Sequence, residues 1–237
     1  TRCYLTNVGR GVAMYIAVEG LKGVGKSTLL DSLCQRLRDE NVRFSLLTPT
    51  RPLPYACWIE GLAKHYPSLR QHDYFCQALY AYRSNGHSRL TDWTQPLILG
   101  DRSILTSLVT RWPHHSPYLQ TQYVQEVRAR EHEIHWPDEV MYLSVPLPQL
   151  IERLQSRCRD YGQHDECEER LTAAAQAYDS LAHVGEFLGL PAKMNWHTVD
   201  AAQQPEQVLE EVYDWIKRRC PQAWCKGEVN NTNYLLS

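Results

Sequence analysis

The sequence predicts an α/β protein with a central parallel sheet and helices on both faces, and three observations carry that prediction. An apolar run, Tyr15-Ile16-Ala17-Val18, leads into Gly20-Leu21-Lys22-Gly23-Val24-Gly25-Lys26-Ser27, which fits the phosphate-loop pattern G-x-x-x-x-G-K-[ST]. Directly after it, Leu29, Leu30, Leu33 and Leu37 recur at helical spacing, so the loop lies between a strand and a helix. Further along, short apolar runs alternate with helical patterns, the signature of parallel strands joined by helical crossovers.

The elements follow in order. Residues 1 to 13 have no periodicity and are expected to form a disordered extension. After the first strand, loop and helix, Val42-Arg43-Phe44-Ser45-Leu46-Leu47 reads as a second strand ended by Pro49. Residues 56 to 83 read as helical, broken at Pro67. Gln95-Pro96-Leu97-Ile98-Leu99-Gly100-Asp101 is short and apolar up to its acidic end, as a strand buried on both faces should be. A helix follows from about Ser116 to Glu133, on the pattern of Tyr123, Val127 and Ile134. Residues 140 to 145 form a fourth strand, and Pro148 sits in the first turn of the helix that follows.

The stretch from 156 to 170 is dense in charge, and a helix over 171 to 188 follows it. His197-Thr198-Val199-Asp200 reads as the last strand and Pro205 to Arg219 as a closing amphipathic helix with Val208, Leu209, Val212, Tyr213 and Ile216. From residue 220 to 237 a polar, disordered tail is expected. The domain proper is therefore 14 to 219, and with strands alternating with helices its ligand belongs at the carboxyl ends of the strands.

Composition excludes several classes. At 43% hydrophobic and 22% charged residues the chain is neither disordered nor a membrane protein, and no apolar stretch approaches a membrane span. The first ten residues lack a signal-peptide core, so a cytoplasmic location is expected. A net charge of −2 gives no whole-molecule electrostatic case for nucleic acid, and the aromatic residues are not interleaved with basic runs, so no nucleic-acid partner is expected. The eight cysteines are scattered, without a C-x-x-C pair, and read as reduced thiols; Cys220 with Cys225 is only a loose zinc spacing. His114, His115, His132 and His135 have no companions at metal spacing and receive no role.

The chemistry concentrates around the loop. Backbone amides of Gly20, Leu21, Lys22, Gly23, Val24, Gly25, Lys26, Ser27 and Thr28, with the positive end of the following helix, can wrap a polyphosphate. Lys26 would reach the β- and γ-phosphates and the Ser27 hydroxyl would sit on Mg²⁺. Asp101-Arg102 falls just past the third strand, on the sheet edge where the loop opens. There a carboxylate can hold Mg²⁺ or its water, and a guanidinium can bind phosphate bidentately. A charge run such as 153 to 170 is most often a solvated helix face. Here Arg153, Arg157 and Arg159 precede Gly162 and a cluster of acids, so the basic charge is local and beside a candidate hinge, where arginines can close over a γ-phosphate.

Taken in order, these residues resemble the thymidylate kinase family of nucleoside monophosphate kinases over about residues 15 to 217. The likeness rests on Glu19-Gly20 opening the loop, the strand ending in Asp101-Arg102, Glu152-Arg153 with Arg157-Cys158-Arg159, and Val199-Asp200-Ala201 before an amphipathic helix. The resemblance implies a P-loop nucleoside-kinase fold with a short arginine-containing lid at about 153 to 170. It also implies ATP with Mg²⁺ as phosphoryl donor and a nucleoside monophosphate as acceptor, with dTMP the default. It makes Arg102 the arginine bridging the donor and acceptor phosphates, Arg51 the acceptor-phosphate arginine, and Arg83 the arginine reading the pyrimidine edge. Arg153, Arg157 and Arg159 become ATP-side lid residues, Arg157 catalytic together with Lys26 and Arg102.

The departures fall on the acceptor side. Lys22 stands where the family has an acid by the acceptor sugar, and a cation cannot accept a hydroxyl hydrogen bond. The family's stacking aromatic is replaced by Leu79, with Tyr80 adjacent. The Y-Q pair becomes Thr110-Arg111, and the R-E-P-G-G turn shrinks to Arg51-Pro52. An altered or relaxed acceptor is therefore expected. Two other readings stay open. Asp101-Arg102-Ser103 also resembles the D/E-R-S motif of deoxynucleoside kinases, although Glu19 is too close to the loop to make a persuasive base. The third reading is a nucleotide-binding regulatory protein with a decayed acceptor site. Homodimer formation is left open.

Overall fold

The computed structural model of the protein describes residues 13–55, 57–156 and 167–225. Five strands form one parallel sheet: β1 (Met14–Gly20), β2 (Phe44–Leu47), β3 (Leu97–Asp101), β4 (Glu139–Ser144) and β5 (Asn195–Asp200), in the order β2-β3-β1-β4-β5. The helices are α1 (Lys26–Asp39), α2 (Trp58–His65), α3 (Asp73–Leu90), α4 (Ile104–Val109), α5 (Pro117–Arg130), α6 (Leu147–Gln155), α7 (Glu168–Val184) and α8 (Pro205–Arg219). Every residue of β3 is buried, as is all of β1 beyond Met14, so both faces of the central strands are covered by helices. The edge strands β2 and β5 are the exposed ones.

The strand order fixes where a ligand can bind. From β1 the chain crosses to β2 and returns to lay β3 between them, then crosses to the other side of β1 for β4. Sheet order therefore reverses about β1 and β3, and a crevice opens at their carboxyl ends. Val18 lies opposite Asp101 in the register, which brings the loop after β1 and the Asp101-Arg102 step to one place.

Three expectations change. The helix expected to close at residue 83 continues to Leu90, although Asn85, Gly86 and Ser88 are poor helix formers. Tertiary contacts hold that end: Asn85 Nδ2 donates to the Arg130 carbonyl at 2.9 Å and Ser88 Oγ to the Glu133 carbonyl at 2.7 Å. Helix α4 was not anticipated, because its six residues are all buried and show no amphipathic period. The helix expected over 171 to 188 starts at Glu168 and ends at Val184, followed by a tighter turn over Gly185–Leu188.

The C-terminal boundary also moves. Cys220 and Ala223 are buried rather than part of a polar tail, and the amide of Arg43 donates to the Ala223 carbonyl at 3.1 Å. Trp224 Nε1 donates to Glu40 Oε2 at 3.1 Å, and its ring meets Tyr213 edge-on at 5.8 Å. The fold thus runs at least to Trp224, closing over α1 and α8. The lid expected at 153 to 170 spans the last turn of α6 and the first turn of α7, while Arg157 and Arg159 lie outside the described residues. All six described cysteines are free thiols, no described helix is long and apolar enough to cross a membrane, and no described cluster of His, Cys, Asp or Glu is built to hold a metal alone.

Trp224→Ala removes that closing contact. Its stability should fall by about 2 kcal/mol, below the range for a fully buried aromatic because Trp224 is half-exposed. Urea unfolding checks this: the midpoint should drop with the slope unchanged.

Candidate functional site

The loop after β1 is shaped by what surrounds it. Gly20 has φ 139°, and a Cβ there would stand 2.6 Å from the Leu143 carbonyl oxygen. Gly23 has φ 95°, and a Cβ there would stand 2.7 Å from Leu154 Cδ2 on α6. Both positions therefore need glycine, and the close approaches bring β4 and α6 against the loop. Gly25, the N-cap of α1, brings no capping side chain, which leaves the first-turn amides of Lys26, Ser27 and Thr28 facing outward beside an exposed Ser27 hydroxyl.

Lys22, Lys26, Ser27, Thr28, Thr50, Arg51, Asp101 and Arg102 line one cavity of about 360 Å³ at the carboxyl ends of β1 and β3. Lys26 is buried, with Nζ donating to the carbonyls of Gly20 at 2.8 Å and Leu21 at 2.7 Å. Burial holds its ammonium well below the ordinary lysine range, the Arg102 charge adds to that, and Glu19 and Asp101 oppose it. An anion entering the cavity would favour the charged form. Arg51 Nε and Nη2 both donate to Asp101 Oδ2, at 3.0 and 2.6 Å. Asp101 keeps Oδ1 outside that pair. His87 steadies the Arg51 loop, its ring bridging the Thr48 hydroxyl at 3.3 Å and the Arg51 carbonyl at 3.1 Å.

Arg102 is held in an uncommon way. Its backbone lies in the left-handed region, φ 76°, rare for a residue with a side chain. Its amide donates to the Val18 carbonyl of β1 at 3.2 Å, and its Nη1 donates to Thr106 Oγ1 at 3.2 Å. Beneath it lies a carboxylate that the sequence reading passed over as a functional group. Glu19 is fully buried and accepts from Ser103 Oγ at 2.7 Å, Thr106 Oγ1 at 3.0 Å and Tyr178 OH at 2.7 Å. Only the Glu-Gly step before the loop hinted at it; Thr106 and Tyr178 carry no local motif.

A second cavity, of about 470 Å³, opens on the other side of the loop, between Gly23, Val24, Gly25 and Thr28 on one side and Gln149, Arg153, Ala201 to Pro205, Val208 and Leu209 on the other. Arg153 reaches across with Nη1 on the Ala201 carbonyl at 3.0 Å and Nη2 on that of Ala202 at 3.4 Å. Its guanidinium thus shapes the cavity wall.

The remaining expected residues spread out. Arg83 lines neither cavity: it donates to both oxygens of Glu60, at 2.5 and 2.7 Å, and to the Thr50 carbonyl at 3.0 Å. Leu79 is buried in a small side core with Ile59 and Ala63, because its turn of α3 faces α2; the stacking position expected there is unavailable to a ligand. Tyr80, one residue on, instead lines a narrow cleft of about 10 Å³ with Ser107, Arg111, Tyr123, Arg130 and Glu131. Arg111 Nε is drawn to Asp73 Oδ1 at 2.5 Å. Thr110 is exposed and turns its hydroxyl back to the Thr106 carbonyl at 2.6 Å.

A family model described as thymidylate kinase matches residues 18–212. No curated protein matches the chain.

The cleft yields a pH prediction. Glu131 is buried, and Oε2 has no hydrogen-bond partner among the described residues. Burial raises its carboxyl above the ordinary range, against the nearby hydroxyls of Ser107 and Ser84 and, more weakly, the charges of Arg130 and Arg128. The folded chain therefore keeps this proton to higher pH than the unfolded chain. Stability from this group is complete below the unfolded carboxyl value, about 4.3, and falls as pH rises through and above it until the folded group ionises. Glu131→Gln should gain stability relative to wild type as pH rises above about 4 in urea unfolding. A difference independent of pH would mean that the carboxyl ionises as readily in the fold as outside it.

Proposed function

The chain belongs to the thymidylate kinase family, a family of phosphotransferases, and from that premise we propose that it moves the γ-phosphoryl group of ATP to the phosphate of a nucleoside monophosphate. The observation that carries this reading is the convergence of Lys22, Lys26, Arg51 and Arg102 on one cavity, facing the single carboxylate of Asp101. A surface this cationic suits two phosphate groups meeting end to end. The adjoining cavity beside Arg153 suits the donor's base, with Arg153 acting through the carbonyls it holds rather than on a phosphate.

In this reading the first-turn amides of α1 and the Lys26 ammonium bind the β- and γ-phosphates. Lys26 then exchanges the two loop carbonyls it now holds for phosphate oxygens. Arg51 takes the acceptor phosphate, releasing Asp101. Arg102, between the two, neutralises the group in transit, whose charge spreads over three equatorial oxygens. Arg157 and Arg159 are assigned to closing the cavity against water. The exposed Ser27 hydroxyl and the Asp101 carboxylate are the oxygen donors that fit Mg²⁺, which draws most of its ligands from phosphates and water. When bound, it supplies charge neutralisation between the donor phosphates. All these groups act by position and charge, with no covalent intermediate.

A specific observation favours a monophosphate over a nucleoside acceptor. Transfer to a 5′-hydroxyl needs a base, and Glu19 is buried with three hydroxyls already donating to it. Lys22 in the same cavity argues for an acceptor sugar bound differently from that of the family, so dTMP is the first acceptor to test rather than the only one.

Measuring ADP release from ATP over all ribo- and deoxynucleoside monophosphates tests the reading. One or more should be turned over, and Lys26→Ala should lower that rate at least roughly a thousandfold. Tight ATP binding with no transfer to any of them would instead favour a regulatory nucleotide-binding role, and undiminished transfer by Lys26→Ala would defeat the mechanism.

A further inference from the structure

Arg102 lines the phosphate cavity, and its guanidinium donates to the side chain of Thr106 on the helix that follows it. That contact is polarised from below. A threonine hydroxyl has one proton, and in Thr106 it goes to Glu19 Oε2 at 3.0 Å, which turns the oxygen lone pairs toward Arg102. Ser103 repeats the pattern: its hydroxyl gives its proton to Glu19 Oε1 at 2.7 Å and accepts the Leu105 amide at 3.1 Å, capping α4. Glu19 thus anchors Ser103 and Thr106, the N-cap and first turn of the helix that directly follows Arg102. Tyr178 of α7 completes the arrangement by donating to Glu19 Oε2 at 2.7 Å, on the same oxygen as Thr106.

We propose that Thr106 is a positioning residue for phosphoryl transfer, its hydroxyl oriented by Glu19 and Tyr178 so that it holds the Arg102 guanidinium over the phosphate cavity. The donor directions make the group self-consistent. Each hydroxyl has one proton and gives it to the carboxylate, so none is left to turn away. Burial, with the Glu19 charge adding to it, raises the Tyr178 hydroxyl well above the ordinary tyrosine range, so it remains a donor at every working pH. The strained backbone of Arg102 gives the device its purpose. Arg102 leaves β3 in this uncommon conformation, and its contact with Thr106 is a side-chain contact that fixes the direction of its guanidinium. Glu19 sits on the strand that opens the phosphate loop and Tyr178 on the helix that follows the lid segment, so the group also ties three separate parts of the site to one carboxylate.

The proposal rests on the transfer reading above, and its test separates the two. Thr106→Val keeps the shape and removes the hydroxyl. In the full-length protein it should lower kcat roughly thirtyfold for the best monophosphate, as expected when a charged group is displaced by a fraction of an ångström. The Kd for ATP, measured without acceptor, should stay within about twofold, because the loss is specific to the transition state. Thr106→Ser retains the hydroxyl and should restore most of the rate, which loss of core packing would not allow. Tyr178→Phe, from a different helix, should fall between them and decides the matter with the same readouts if Thr106→Val does not fold. A substrate-free arm follows solvent exchange of the Arg102 guanidinium protons by NMR, the signal assigned by its loss in Arg102→Lys. Exchange should be slow in wild type and Thr106→Ser and fast in Thr106→Val. A wild-type protein that phosphorylates no monophosphate sinks the transfer reading, and the exchange arm still decides the positioning. The proposal is overturned if Thr106→Val keeps both kcat and slow exchange, or if Thr106→Ser is impaired as much as Thr106→Val.

Discussion

Crowding several cations around one cavity is the physical constraint to which the rest of this structure answers. Lys26 is drawn out of water and repelled by Arg102, which disfavours the charged ammonium that phosphate binding requires. Two carboxylates offset this from different sides. Asp101 works from the cavity wall while paired to Arg51, and Glu19 works from beneath, fully buried. A buried carboxylate is costly unless its oxygens are hydrogen-bonded, and three hydroxyls, two from α4 with its cap and one from α7, meet that need. The sheet supplies the framework: only parallel pairing of β1 with β3 brings the loop, the carboxylates and Arg102 to one edge.

The half of this arrangement built on the loop after β1 was legible in the sequence because it is local. The phosphate loop, its preceding strand and its following helix lie within 26 consecutive residues, Met14 to Asp39, and their types and spacing report their geometry directly. The parallel sheet could be read for a similar reason, since buried strands such as β3 are short apolar runs with clear ends. Boundaries failed where long-range contacts overrode local preference, as in the last turns of α3 and the segment after α8.

The residues expected on the acceptor side were less legible. Leu79 and Tyr80 are adjacent, and nothing local says which of them faces α2 and which faces the cleft; the packing of α2 decides it. Arg83 carries the right side chain on the expected helix, yet Glu60, 23 residues earlier in sequence, occupies it. Thr106 and Tyr178 are ordinary core-helix residues until a buried carboxylate from a distant strand is placed against them. Sites assembled from scattered residues leave little sequence signal, whereas loops that wrap a phosphate with their own backbone leave a strong one.

The left-handed backbone at Arg102 sets stability and activity against each other at one position. A residue with a side chain costs about 1–2 kcal/mol there relative to glycine. A selection that rewarded thermal tolerance alone would therefore drift toward glycine at 102, firming the turn while discarding one cation of the cavity. Arginine here places a cation in the cavity at the expense of the turn's own stability. Stabilised versions of this chain are best sought by changes elsewhere, leaving this turn with its intrinsic cost.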